Sequence, residues 1–483
     1  MVTLEPSNPP TFQPSNPSPL RAWSNYPADY RAKELRLLAD WISTGESGAV
    51  VGLSGAGRAN LLGFLCHRPE VVAGYLRPGA GPIALIPLDL NNLPATDLST
   101  LYRVLIRAFY RVRAGFEPGL AEEIAALYRH SQAETDPFLT QSTLQELLLL
   151  FQARQTRVVL VLNRFDDFCQ AATPAMVNTL RGLRDDFKDT LCYLAGMTRE
   201  AVYLPEPERL GDMYELLDHH VCWVGALQPQ DARYLVRTVV HAAPTPPEEE
   251  DVAALLALSG NYPTLLRAAC HWWLAAEKPP RSEWVSTLLG ERQVQHRLER
   301  LWQGLTQEEQ FVLSELQKLE TARLSGGDKK WPEFVEAYQP ILRQLAGKGV
   351  CQYADKGWRL AGALLSAFVA RVEGRGRGRI WQDERTGELY QGQTLLADLT
   401  GLERAVLTFL LKQPRFSHTK TDLIFNAWPD ELRQQGVSDN SLYQLISSLR
   451  RQIEPNPSRP AYLVTWRGKP EGGYQFFPEG RPR

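Results

Sequence analysis

The stretch GLSGAGRANLL, Gly52 to Leu62, follows the apolar run Ala49-Val50-Val51 and leads into a helical apolar pattern. A phosphate-binding loop has this outline. Spaced glycines let backbone N–H groups turn inward, and the next helix offers its positive N-terminal end to an anion. Such a loop ordinarily continues with Lys, which reaches the outer phosphates, and then Ser or Thr, whose hydroxyl holds magnesium. Gly52 and Gly57 take the two framework positions here, and Gly55 is an extra turn former. Arg58 stands where Lys is expected, and Ala59, followed by Asn60, stands at the hydroxyl position. Arg neutralises phosphate but forks differently from a compact ammonium. Ala has no oxygen for a metal. The other reading of the stretch is a Gly-rich strand-to-helix turn without a ligand.

The second half of such a site is a strand ending on an acidic residue. VVLVLNRFDDF has that shape but ends on the neutral Asn163, with Asp166 and Asp167 one turn further on. Either Asp is a candidate catalytic carboxylate that positions water, or the pair caps a helix at its positive end. After the run LCYLAG, Thr198 and Arg199 stand where a polar residue senses an outer phosphate; an ion-pair role is the alternative for Arg199. His219-His220 and His271-Trp272-Trp273 read as packing rather than metal ligands.

The other chemical signal lies near the C-terminus. Leu442, Leu445, Ile446, Leu449 and Ile453 recur at helical spacing and predict one buried stripe, with Ser438 as N-cap. The opposite face carries Asn440, Ser441, Tyr443, Gln444, Ser447, Ser448, Arg450 and Arg451, with Asp439 its one acidic residue, at the start. Short polar groups suit base edges and arginines suit phosphates, so this face fits a major groove. Arg467 and Lys469 mark the tip of a following hairpin, suited to phosphates or the minor groove. From Arg371 onward the chain has 17 basic against 13 acidic residues, although the whole carries −2. That sign suits a nucleic-acid module.

The elements that hold these groups follow from hydropathy. Apolar runs at 49–53, 83–90, 158–163, 191–196 and 220–227, separated by helical or loop segments, predict a parallel α/β sheet. The expected domains are an extended Pro-rich arm at 1–27, an α/β nucleotide-binding domain at 28–227 and a helical lid at 228–297. A winged-helix domain follows at 298–372, a Gly/Arg linker at 373–379 and a second winged-helix domain at 380–483. Apolar content of 44% and charged content of 22% are those of a globular protein. The six cysteines form no CxxC pair and read as buried thiols. No apolar run reaches transmembrane length and the start lacks a signal pattern, so a cytoplasmic protein without membrane contact is expected.

The order of phosphate loop, strand, Thr-Arg-Glu sensor, helical lid and winged helix resembles the STAND branch of the AAA+ ATPases, over about residues 28–370. SGNYPTLLRAAC is similar to that group's Gly-x-x-Pro lid segment, with Gly260 and Pro263 on the matching positions. The resemblance implies an α/β P-loop NTPase fold with ATP or ADP as cofactor and Pro263 near the base. The motif departures leave little provision for Mg2+ and little or no hydrolysis. Residues 378–478 closely resemble the winged-helix effector domain of OmpR/PhoB-type response regulators, through LT..E, AW, VSDNSL…I..LRR.IE and RG…GY. A KPEG insertion in the wing departs from the pattern. The resemblance implies double-stranded DNA as partner and a DNA-binding signalling or transcriptional regulator. The STAND resemblance implies that the first winged helix acts as an intramolecular clamp, a second DNA reader being the alternative, and a homo-oligomer or protein partners are compatible. The other function class is a scaffold subunit of a larger complex, such as an antiviral defence assembly. An ATPase motor with Arg58 in place of Lys is a third reading.

Overall fold

The computed structural model describes residues 23–481, except 205, 242, 244–245, 276–277, 325–330, 355–356, 373–378, 384–385, 392–393, 429–438 and 469–470. The first 22 residues of the arm, nearly all of the linker, Ser438, the loop before the C-terminal helix and Lys469 therefore lie outside the described residues. The chain forms two compact units, Met1–Phe368 and Val369–Arg483.

In the first unit all five predicted strands are present: β1 (Gly48–Val51), β2 (Ile83–Asp89), β3 (Arg157–Asn163), β4 (Leu191–Met197) and β5 (Val221–Trp223). They make one parallel sheet in the order β2-β3-β4-β1-β5. Every residue of β1 and β4 is buried, which is why their sequences are continuously apolar rather than alternating. The edge strand β2 alternates buried and half-buried positions. The fifth strand is shorter than the apolar run 220–227 suggests. Beyond Trp223 the chain leaves the sheet, and the backbone of Gly225 meets that of Gly347–Gly349 so closely that an added Cβ would lie 2.4 Å from the Gly347 carbonyl. Helices Leu98–Val112, Pro137–Ala153 and Pro174–Asp186 seal the sheet, with Leu105, Phe109, Phe151 and Leu180 in its core. Asp97 caps the first of these by accepting from the Thr100 N–H at 2.8 Å.

Helices Pro229–Val240, Glu249–Ser259, Pro263–Ala275 and Trp284–Gly290 form the lid. Helix Arg292–Gly304 runs straight through the boundary expected at 297–298. Helices Gln307–Leu324 and Trp331–Gly347, the hairpin Cys351–Ala354 with Gly357–Leu360, and helix Ala363–Val372 make the first winged helix. All six cysteines are free thiols, and burial pushes Cys66, Cys169, Cys192, Cys222 and Cys270 up to about 12. Among the described residues no helix is long and apolar enough to cross a membrane.

The second unit opens with strands Ile380–Gln382, Leu389–Gln391 and Thr394–Leu395 in one antiparallel sheet. Helices Gly401–Lys412, Lys420–Ala427 and Asp439–Ile453 follow, and a second sheet pairs Ser417–Thr419, Gly473–Phe476 and Leu463–Trp466. Capping boxes start the first two helices: Thr400 with Glu403, and Thr419 with Asp422. The unit has its own core, built on Leu407, Leu410, Leu442, Leu449, Leu463 and Phe476.

Candidate nucleotide site and nucleic-acid interface

The phosphate loop joins the end of β1 to helix Arg58–His67. Gly55 and Gly57 have φ of +81° and +89°, which a residue with a Cβ rarely adopts, so these two glycines are required by the turn itself. Gly57 is the N-cap of the helix. Three carbonyls of the loop are already engaged. The Tyr262 hydroxyl donates to Ser54 O at 3.2 Å, and the Thr264 N–H donates to Gly55 O at 3.2 Å. The buried Arg31 guanidinium donates to Ala56 O at 2.5 Å and to Gly225 O at 3.0 Å. Pro263 also lies here, its Cγ 3.7 Å from where a Cβ on Gly57 would stand. The lid segment and Arg31, which precedes helix Ala32–Thr44, thus hold the loop from its carbonyl side.

Arg58 packs against Gly52 and Gly196. Its Nε and Nη1 are buried without a protein partner, as are Asn163 Oδ1 and Asp166 Oδ1. Burial pulls the Arg58 guanidinium below its ordinary value, against the opposing charges of Asp166 and Asp167. Asp166 is 3% exposed, and its Oδ2 accepts from both the backbone N–H and the hydroxyl of Thr198, the former at 2.7 Å. Sequence reasoning placed Thr198 toward a phosphate; the structure spends its hydroxyl on Asp166. Asp167 is exposed and accepts from Asn91 at 3.3 Å. Buried cationic donors beside a helix N-terminus fit a phosphate.

A divalent cation fits poorly. Ala59 is exposed and has no oxygen, Asn163 is neutral, and Asp89, paired in register with Asn163, is tied to Arg164. Among the described residues no cluster of three His, Cys, Asp or Glu has the arrangement of a metal site.

Two expected site residues face elsewhere. Asn60 accepts from Trp23 Nε1 at 3.1 Å and donates to the Tyr30 hydroxyl at 3.0 Å, so it anchors the end of the arm. Arg199 donates to the carbonyls of Gln303 and Gly304, at 3.1 Å for the latter, and so satisfies the C-terminal end of helix Arg292–Gly304. Next to it, Glu200 accepts from Trp223 Nε1 at 2.9 Å, Gln344 Nε2 at 2.7 Å and Lys348 Nζ at 2.9 Å. Lys348 also reaches Glu309 at 2.7 Å, and all three charged groups are buried. Sequence reasoning missed Arg31, Tyr262, Thr264 and this Lys348 cluster. Arg31 carried no signal beyond opening a helical pattern, and a Lys in LAGKGV reads as an ordinary turn residue.

In the second unit, helix Asp439–Ile453 buries Leu442, Leu445, Ile446, Leu449 and Ile453, the predicted stripe. Asn440, Ser441, Tyr443, Gln444, Ser447 and Arg451 are exposed on the other face. Ser448 and Arg450 are not free for a ligand. The Ser448 hydroxyl bonds the Glu403 carboxyl, and Arg450 donates to Leu463 O and to Thr465 Oγ1, both at 2.9 Å. Lys420 donates to Asp439 at 2.7 Å and lies 4.9 Å from the Tyr443 ring. Arg467 is exposed at the wing. In the wing insertion, Glu471 accepts from the Thr421 N–H at 3.2 Å and from its hydroxyl.

Residues 392–476 match the family model described as "Transcriptional regulatory protein, C terminal". The C-terminal unit carries a transcriptional-regulator winged helix. The regulator winged helix comprises the three helices and the hairpin described above. The N-terminal unit has a P-loop NTPase fold, with its Gly loop at the end of a central strand of the parallel sheet. Structures similar to it include a Walker-type ATPase of Pyrococcus abyssi, at 11% identity over 70% of this chain and 95% of that one, with a TM-score of 0.40. The Aeropyrum pernix ORC2 protein in ADPNP–ADP complexes gives 14% over 73% and 91%, with a TM-score of 0.34. The ORC1 protein of the same organism, in complex with DNA, gives 17% over 71% and 92%, with a TM-score of 0.35. At such scores the sheet and the loop carry the fold, not the likeness. No curated protein sequence matches the chain.

Proposed function

We propose that the protein is a DNA-binding signalling or transcriptional regulator whose N-terminal module binds a nucleotide, turns it over weakly or not at all, and controls the regulator winged helix. The observation that carries the reading is the exposed face of helix Asp439–Ile453 within the matched domain. Asn440, Gln444 and Ser447 supply hydrogen-bonding groups of major-groove size, and Arg451 supplies a phosphate contact. At the other end, Arg58 and the N–H groups of residues 55–59 would hold the phosphates of ATP or ADP, and Pro263 would lie near the base. Charge neutralisation and placement are what these residues supply; Ala59 and Asn163 supply nothing to a magnesium ion. Expressed alone in solution, the full chain binds short duplex DNA by fluorescence anisotropy at low salt. Gln444→Ala costs about 1–3 kcal/mol at the preferred sequence and much less on random duplex. Equal affinity of the variant and the parent for every duplex would remove the assignment of that face.

A scaffold reading has one observation in its favour. The first winged helix is committed to contacts inside the chain through Lys348, Glu200 and Glu309, so this fold already serves protein contact here.

A further inference from the structure

We infer that the phosphate loop takes its nucleotide as the metal-free polyphosphate anion, with Arg58 standing for both the usual ammonium and the usual magnesium ion. The inference rests on the reading of this loop as a nucleotide site, and it names the charge state of the ligand and the group that meets it.

Magnesium holds near-ideal octahedral geometry and draws its protein ligands from a hydroxyl and one or two carboxylates beside the phosphates. Most of those positions are spent or lost. Ala59 presents a methyl group. Asn163 ends β3 with a neutral carboxamide, opposite Asp89 in register, and Asp89 is paired with Arg164. Asp166 keeps one carboxylate oxygen on the Thr198 N–H and hydroxyl. Its other oxygen and the exposed Asp167 carboxylate are the acidic groups left among the described residues of the site, and both face the charge of Arg58.

The cation in the site is therefore Arg58. Two of its donors, Nε and Nη1, are buried and unpartnered. A planar guanidinium with free donors matches phosphate oxygens in pairs, which a lysine cannot do. A dication placed beside it would meet a like charge with few ligands to offset the repulsion. The free nucleotide carries more negative charge than its magnesium complex, and so gains more from the Arg58 guanidinium and the helix N-terminus, the positive groups that stand here beside the carboxylates of Asp166 and Asp167. Thr198 is already bonded to Asp166, so no hydroxyl at the sensor position is left to read an outer phosphate.

The test is isothermal titration of the stripped full-length protein with ADP, in EDTA and again in excess magnesium. The expected result is an affinity in EDTA equal to or above that in magnesium. Arg58→Ala should weaken binding in both buffers about tenfold or more. The double change Ala59→Ser with Asn163→Asp should make binding about tenfold tighter in magnesium than in EDTA. Wild-type binding that strengthens about tenfold with magnesium would overturn the inference while leaving the nucleotide site in place. Absence of ADP binding in both buffers would overturn the nucleotide reading itself. The wild-type comparison depends on no variant folding.

Discussion

Arg450 and Arg451 are neighbours in sequence and differ in their surroundings. Both belong to the polar face as the sequence reads it, yet Arg450 is half-buried and hydrogen-bonded to Leu463 and Thr465, with its guanidinium 5.7 Å from the Tyr474 ring. A signal for this was present. Position 450 lies four residues after Ile446 and three before Ile453, so it flanks the buried stripe and can lean across it. Residue type hid the signal, because an arginine beside DNA-sized polar groups reads as a phosphate contact. The two arginines should separate on mutation. Arg450→Ala should lower the stability of the C-terminal unit by about 1–3 kcal/mol, through two charge-assisted hydrogen bonds. Arg451→Ala should leave the melting temperature unchanged and make the log–log slope of DNA affinity against salt shallower by about one. Calorimetric melting of both variants, with anisotropy titrations at several salt concentrations, checks the pair; equal effects on melting would contradict the division of roles.

The C-terminal end of β4 shows how one short element ties three parts of the first unit together. Thr198 holds Asp166 beside the phosphate loop, Arg199 holds the end of helix Arg292–Gly304, and Glu200 holds Lys348 of the first winged helix. The apolar run of β4 was legible in the sequence, because a central strand buried on both faces must be continuously apolar. The partners of the next three residues were not legible, because each lies about 30 to 150 positions away and no periodicity links them. The Glu200 tie has a pH signature. Burial raises its carboxyl, but the Lys348 ammonium and the bonds from Lys348 and Gln344 more than offset this, so its pKa lies below the ordinary carboxylate value. A depressed carboxylate contributes stability that is present above its unfolded pKa and is lost as pH falls through the folded value. Glu200→Gln should therefore cost about 3 kcal/mol at neutral pH, because Lys348 keeps only Glu309. The gap between variant and parent should close progressively below about pH 4.5. Thermal melts across that range measure it, and a gap that persisted unchanged into acid would contradict the buried ion pair as its source.

For the whole molecule, the sequence showed the order of parts better than their joints. Five strands, a lid and two winged helices were readable from apolar runs and turn residues. The close backbone contacts of Gly225 with Gly349, and of Gly260 with Gly362, were not, since a glycine announces room for an approach and not the partner that fills it. The same holds for the lid on the phosphate loop, where Tyr262 and Thr264 bond loop carbonyls that no motif describes. Those bonds give a nucleotide a means of acting on the fold. A ligand that needs the loop N–H groups to turn inward must accept or alter the positions of Ser54, Gly55 and Ala56, and with them the lid. A regulator that uses this must show coupling between the two ends of the chain. ADP should change the DNA affinity of the full chain about fivefold or more, and DNA should change ADP affinity by the same factor, as linkage demands. The C-terminal unit, residues 369–483, encloses its own core around Leu407, Leu442 and Phe476 and should fold alone. Its DNA affinity should be indifferent to ADP, and in Arg58→Ala the coupling in the full chain should vanish while DNA binding persists. Anisotropy with and without ADP on these three proteins decides the matter. A full chain as indifferent to ADP as the isolated unit would leave the N-terminal module a scaffold, and the DNA-binding unit constitutively active.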